Sequence, residues 1–112
     1  MCTQRQLQEI AAAVAQEANR LLKERLDAVI LYGSYARGDF DRESDVDIMV
    51  RVRCGKEQLP EYRYLFADIA SELSLQYDVT VSVTTVDTET FHRYGKSLPF
   101  FAHVEQEGIK IA

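Results

Sequence analysis

The stretch Gly33-Ser34-Tyr35-Ala36-Arg37-Gly38-Asp39-Phe40-Asp41-Arg42-Glu43-Ser44-Asp45-Val46-Asp47 decides the fold. It stands between two strand-like runs. Upstream, Ala28-Val29-Ile30-Leu31-Tyr32 is short and apolar, with β-branched and aromatic members, and reads as a buried strand. Downstream, Asp45-Val46-Asp47-Ile48-Met49-Val50-Arg51-Val52 alternates. Val46, Ile48, Val50 and Val52 form an inward face. Asp45 and Asp47, at i and i+2, share the other face, roughly 6.5–7 Å apart along the strand.

Between the strands, Gly33 breaks the first run. Lacking a Cβ, it lets the backbone turn sharply and come close to a ligand. Ser34 is placed to cap a short helix starting near Tyr35, and a helix N-terminus with free N–H groups favours phosphate. Arg37, one turn on, adds positive charge. Two carboxylates side by side need a cation between them. Mg²⁺ suits that place, since it keeps waters and takes phosphate oxygens as further ligands. A glycine turn or an Asp-x-Asp pair alone is common and usually structural. Their succession between two strands is far more specific.

Rival motifs fail on the same residues. Gly33 and Gly38 have the glycine spacing of a P-loop, but Asp39 and Phe40 follow where Lys and Ser or Thr are required. No Gly-x-Ser-x-Gly elbow occurs. Asp-x-Asp is also the metal motif of many glycosyltransferases, which need a much longer chain to hold a nucleotide sugar.

The pattern Gly33-Ser34-x-Ala36-Arg37-Gly38 … Ser44-Asp45-x-Asp47 resembles the DNA polymerase β-type nucleotidyltransferases, and more narrowly the minimal nucleotidyltransferases of bacteria and archaea. The resemblance implies a mixed sheet with helices mainly on one side. It implies that Gly33, Ser34, Arg37 and Ser44 bind the nucleotide. Asp45 and Asp47, with a third acid on a neighbouring strand, would hold Mg²⁺ or Mn²⁺. An acceptor hydroxyl would attack the α-phosphate and pyrophosphate would leave. For the third acid the candidate is Asp78, on the polar face of Tyr77-Asp78-Val79-Thr80-Val81-Ser82-Val83. The triad closes if the strands pair with Asp78 beside Asp45 and Asp47. A slip in pairing brings Thr80 or Ser82 there instead and leaves a site that binds nucleotide without catalysis. The resemblance further implies a nucleoside triphosphate substrate, ATP first, and an all-helical partner of the HEPN class that receives AMP, as in some toxin–antitoxin pairs. A non-catalytic module that senses nucleotide or clamps a helical partner is the alternative.

The 112 residues are expected to form one domain with one modest core. The net charge of −5 argues against gripping extended nucleic acid, which needs a basic face. The two cysteines, Cys2 and Cys54, form no Cys-x-x-Cys, so a reduced cytoplasmic setting is the simplest expectation. Residues 1 to 25 lack an apolar signal region, and no run is long enough to span a membrane.

The periodicity predicts helices over 4–25, 35–38, 59–76, 88–94 and 98–107, the last stopped by Gly108. Strands are expected over about 28–33, 45–53 and 77–86, with a brief last one after Gly108. The fold class is therefore α/β (α+β), a small mixed sheet of about four strands. His92 and His103 have no Cys or His at ligand spacing and read as surface residues. Phe100 and Phe101 read as core and lid packing. Arg51 falls on the face of Asp45 and Asp47, where it can balance their charge or touch a phosphate, and Arg42 lies in the loop beside the site; for each, a plain surface role is the first expectation.

Overall fold

The computed structural model describes residues 2–112. Helix α1 (Gln4–Leu22) opens on a capping box. The Gln6 N–H donates to the Thr3 hydroxyl oxygen at 3.1 Å, and the Thr3 N–H donates to the Gln6 side chain at 3.0 Å. Its buried stripe is Leu7, Ile10, Val14, Ala18 and Leu22, the helical spacing read in the sequence. The helix stops at Leu22 rather than 25, because Lys23 turns to φ 52° and a 3-10 turn, Lys23–Arg25, leads into β1 (Leu26–Tyr32). There follow the single helical turn α2 (Ser34–Arg37), β2 (Val46–Val52), α3 (Leu59–Tyr77), β3 (Val81–Asp87), α4 (Thr88–Tyr94), α5 (Pro99–Glu107) and β4 (Ile109–Lys110).

The strands form one mixed sheet in the order β3-β2-β1-β4. β1 runs antiparallel to β2 and to β4, while β2 and β3 are parallel. A parallel pair cannot be joined by a tight turn, and α3 carries the crossover. Helices α1 and α3 cover one face of the sheet, over Val29, Leu31, Val46, Ile48, Val50, Val52 and Val81. On the opposite face Ala28, Ile30, Met49 and Val86 meet Phe91 of α4 and Val104 of α5 in a smaller cluster. The two long helices thus lie on one side, as expected, and two short ones cover part of the other.

The third strand begins at Val81, not at 77. Helix α3 continues to Tyr77, and Asp78 ends it in the left-handed conformation (φ 51°, ψ 47°), its N–H donating to the Ser74 carbonyl. Asp is among the few residues that visit this region readily. Ser74 then fixes the strand's start, since its hydroxyl donates to the Ala70 carbonyl at 2.8 Å and accepts from the Val81 N–H at 2.9 Å. At the far end Asp87 caps α4, accepting from the Thr90 N–H at 3.0 Å. Gly108 ends α5 with φ −70°, an ordinary backbone angle. Glycine is needed there because a Cβ would run into the Val104 carbonyl and the Ile30 side chain.

Asp27 ties the sheet to α4. Its carboxylate accepts from Arg51 Nε at 2.9 Å, Arg53 at 3.0 Å and the Thr88 hydroxyl at 3.0 Å. Arg51 also lies 4.5 Å from the centre of the Phe91 ring. This arginine is therefore a structural clamp, and is not spent on the Asp45–Asp47 pair. Burial pushes the Asp27 carboxyl up, but the Thr88 hydroxyl and the two arginines outweigh it and hold it below its ordinary range. The folded chain thus favours the ionised form more than the unfolded chain does. This stability is present above the ordinary carboxylate range and is lost as pH falls through the lowered folded value. Asp27→Ala is expected to cost about 2–3 kcal/mol at neutral pH, read as a lower urea midpoint. The gap should narrow on acidification below about pH 4.

Candidate active site

The pairing of β1 with β2 sets Tyr32 opposite Asp47. The chain leaving β1 must therefore turn directly against the Asp47 side chain, and Gly33 is the turning residue. It sits at φ +78°, ψ −159°, a region essentially reserved for glycine. A Cβ at this position would lie 2.5 Å from Asp47 Oδ2. Backbone angle and space thus each demand glycine. The Gly33 carbonyl accepts from the Ala36 and Arg37 N–H groups, both at 3.1 Å, so Gly33 is the N-cap of α2. Ser34 is the first residue inside the helix, and its hydroxyl makes no capping bond, contrary to the expected cap. The opening N–H groups of the turn have no partner within the helix.

Tyr35 holds this turn in place. Its ring is buried, its hydroxyl accepts from the Cys2 N–H at 3.3 Å, and Phe40 stacks on it with centroids 4.5 Å apart. The loop to β2 is closed by Ser44, whose hydroxyl oxygen accepts from the Asp41 N–H at 2.9 Å. The same hydroxyl donates to the Asp41 carboxylate at 3.3 Å, so it is engaged within its own loop. Arg37 is exposed and pairs with Asp39 at 3.1 Å and Glu107 at 3.6 Å. Such exposed pairs are weak, so it can be drawn to a phosphate at little cost. Arg42 is an exposed loop residue.

Asp47 is half-buried at the start of β2, and Asp45 is exposed just before it. Burial foremost, then the neighbouring Asp45 charge, pushes the Asp47 carboxyl above its ordinary range, and Arg37 offsets only part of this. Tyr32, across the strand pair, donates to or accepts from the Thr84 hydroxyl at 3.0 Å, and its phenol is pushed up by burial and by Asp47.

The expected third carboxylate is absent from this cluster. Asp78 is an exposed helix cap outside β3, and it is not among the charges acting on Asp47. The parallel register instead places Ser82 beside Asp47, and the Val46 N–H donates to the Thr80 carbonyl at 2.8 Å. The cause is the extra turn of α3, which takes up Tyr77 and Asp78 before the strand starts. Among the described residues no group of three His, Cys, Asp or Glu side chains is placed to hold one metal ion. The pair Asp45–Asp47 still fits Mg²⁺ or Mn²⁺ of the kind held by one or two carboxylates plus substrate phosphates.

Sequence reasoning overlooked Tyr32 and Glu107 as neighbours of the site, whereas Ser82 is the residue it expected there if the pairing slipped. Tyr32 could have been found from its place directly before Gly33. Glu107 reaches the site only through tertiary folding. His92 and His103 are both exposed, as expected.

Because its carboxyl is raised, Asp47 binds a proton more tightly in the folded than in the unfolded chain. Its contribution to stability therefore becomes less favourable as pH rises through the folded value. Asp47→Asn is expected to raise the melting temperature at pH 7 in metal-free buffer. The difference should shrink as pH falls into the range where Asp47 takes up its proton. A melting series from pH 7 to 4 checks both.

The nucleotidyltransferase domain family matches residues 12–106. A protein of Methanocaldococcus jannaschii, named as a candidate protein adenylyltransferase, is 40% identical over 107 residues, covering 92% of this chain and 96% of its own length. A second of the same description and organism is 35% identical over 69 residues, 62% of each chain. In backbone shape the chain is similar to a candidate nucleotidyltransferase from Sulfolobus solfataricus (TM-score 0.64, 21% identity, covering 95% of this chain and 78% of that one). It is also similar to a minimal nucleotidyltransferase (TM-score 0.58, 23% identity, covering 94% and 92%). A further likeness is to a chain in the complex of tri-AMPylated Shewanella oneidensis HEPN toxin with MNT antitoxin (TM-score 0.50, 18% identity, covering 95% and 71%). With the glycine turn set against Asp47 and Asp45 beside it, the chain belongs to the nucleotidyltransferase domain family and is an enzyme of that class.

Proposed function

We propose that this nucleotidyltransferase moves AMP from ATP to a hydroxyl of a partner protein, in a reaction that needs Mg²⁺ or Mn²⁺. The observation that carries the reading is the contact of Gly33 with the Asp47 carboxylate, which sets a bare backbone turn against the carboxylate pair. Asp45 and Asp47 would hold a cation there, and it would supply positive charge to the triphosphate. The choice of adenylate rests on the M. jannaschii relatives, whose names describe protein adenylyltransferases. An all-helical HEPN-class partner in a toxin–antitoxin pair draws on the sequence resemblance and on the likeness to a chain of the Shewanella oneidensis HEPN toxin–MNT antitoxin complex.

In this reading the backbone of the Gly33 turn and Arg37 bind the phosphates. Asp45 and Asp47 would hold the metal, which when bound supplies positive charge to the triphosphate and lowers the pKa of the acceptor hydroxyl. The acceptor oxygen forms a bond to the α-phosphorus as the bond from that phosphorus to the α–β bridging oxygen breaks, pyrophosphate departs with that oxygen, and the hydroxyl proton is released to solvent. The protein's part is to position the groups and balance their charge. Tyr35 and Phe40 keep the turn fixed while this happens.

A second reading has one observation in its favour. Ser82 stands beside Asp47 where the family pattern implies an acid, which suits a domain that binds nucleotide and clamps a helical partner without transfer. The two separate in one assay, using α-³²P-ATP with Mg²⁺ or Mn²⁺ and the protein encoded beside this one. Label should appear on the partner and fall by about two to four orders of magnitude in Asp47→Asn, whose fold is intact. Binding of the partner with no label from any of the four nucleotides would favour the clamp. Near-normal transfer by Asp47→Asn would overturn the site.

A further inference from the structure

We propose that the pocket between Tyr32, Gly33 and α5 is the nucleobase site, that it takes a purine, and that Phe100 is its stacking wall. This rests on the reading of the Gly33 turn as the phosphate site.

The pocket holds about 270 Å³ and shares Gly33 and Arg37 with the turn, so a nucleotide bound at the turn has it as the adjoining space. Its floor is Val104, 2% exposed, and its walls are aromatic. The Tyr32 and Phe100 rings stand 5.5 Å apart at 47°, an open V rather than a closed stack. Phe100 is 43% exposed, although the next residue, Phe101, packs against Phe91 with centroids 5.3 Å apart. The core therefore explains Phe101, while Phe100, stacked on it with centroids 5.5 Å apart, keeps a large part of its ring in water. An aromatic ring beside a phosphate site, half in water, is what a base can stack on, and such stacking tolerates any base but rewards the larger ring system.

The rim gives the base an edge to meet. Glu107 lies there, held at 3.6 Å by Arg37. A carboxylate accepts hydrogen bonds and donates none. When phosphate draws Arg37 away, Glu107 is free to accept from an exocyclic amine or a ring N–H. Adenine and guanine both carry such donors and also fill the pocket better than a single ring does.

The test compares binding of ATP, GTP, CTP, UTP and inorganic tripolyphosphate, with Mn²⁺ present, to the native protein and to Phe100→Ala. Phe100 is exposed, so its loss leaves the fold intact. ATP and GTP should bind more tightly than CTP and UTP. Phe100→Ala should lose about tenfold or more in ATP affinity while tripolyphosphate binding is unchanged. Glu107→Gln should weaken ATP and leave tripolyphosphate as it was. Equal binding of ATP and tripolyphosphate, or an unaltered ATP affinity in Phe100→Ala, would overturn the base site and spare the phosphate turn. Preference for pyrimidines would overturn the purine assignment. Failure of both ATP and tripolyphosphate to bind would overturn the phosphate turn and the base site together.

Discussion

Gly33 has no Cβ, and the room this leaves is taken by the Asp47 carboxylate. Most of the site follows from that approach. β1 and β2 pair antiparallel with Tyr32 opposite Asp47, so the end of one strand and the start of the other meet at a single point. Only a glycine can turn there with φ at +78° and a carboxylate oxygen where a side chain would begin. The sheet pairing thus forces the phosphate turn and the acidic pair into contact, and the four-residue helix after Gly33 is held by a buried tyrosine rather than by its own length.

The molecule spends stability at this point and gains it elsewhere. Two acids crowd together at the mouth of a strand whose next residues, Ile48, Met49 and Val50, are buried and apolar, and burial makes one of them reluctant to ionise. At the opposite end of the same strands Asp27 gathers two arginines and a hydroxyl and stays ionised with ease. The two carboxylates respond to acid in opposite directions, which follows from the charge around each. One is surrounded by partners, and the other awaits them.

The long helices and β1 and β2 were legible because their patterns are local. The apolar stripe of α1 recurs at helical spacing, and the three valines and one isoleucine facing inward from β2 alternate. The glycine turn and Asp45–Asp47 were legible for the same reason, being contiguous in sequence. The third acid was misplaced because Tyr77 and Asp78 suit a strand as well as a helix end. The choice between them is made by Ser74, seven residues before Val81, which bonds back to Ala70 in α3 and forward to the first residue of β3. Arg51 was misread for a related cause. Its face was right, but its partner, Asp27, lies on the neighbouring strand. The aromatic V of Tyr32 and Phe100 needs α5 folded back over the sheet, which no local pattern announces.

The central claim is that two carboxylates and a glycine turn make a metal site that the triphosphate completes. The most direct measurement is Mn²⁺ affinity by electron paramagnetic resonance, with and without a non-hydrolysable ATP analogue. With only Asp45 and Asp47 from the chain, Mn²⁺ should bind weakly alone and at least tenfold more tightly beyond its affinity for the free analogue when both are present. Tight Mn²⁺ binding without nucleotide, or no change on adding the analogue, would contradict the account.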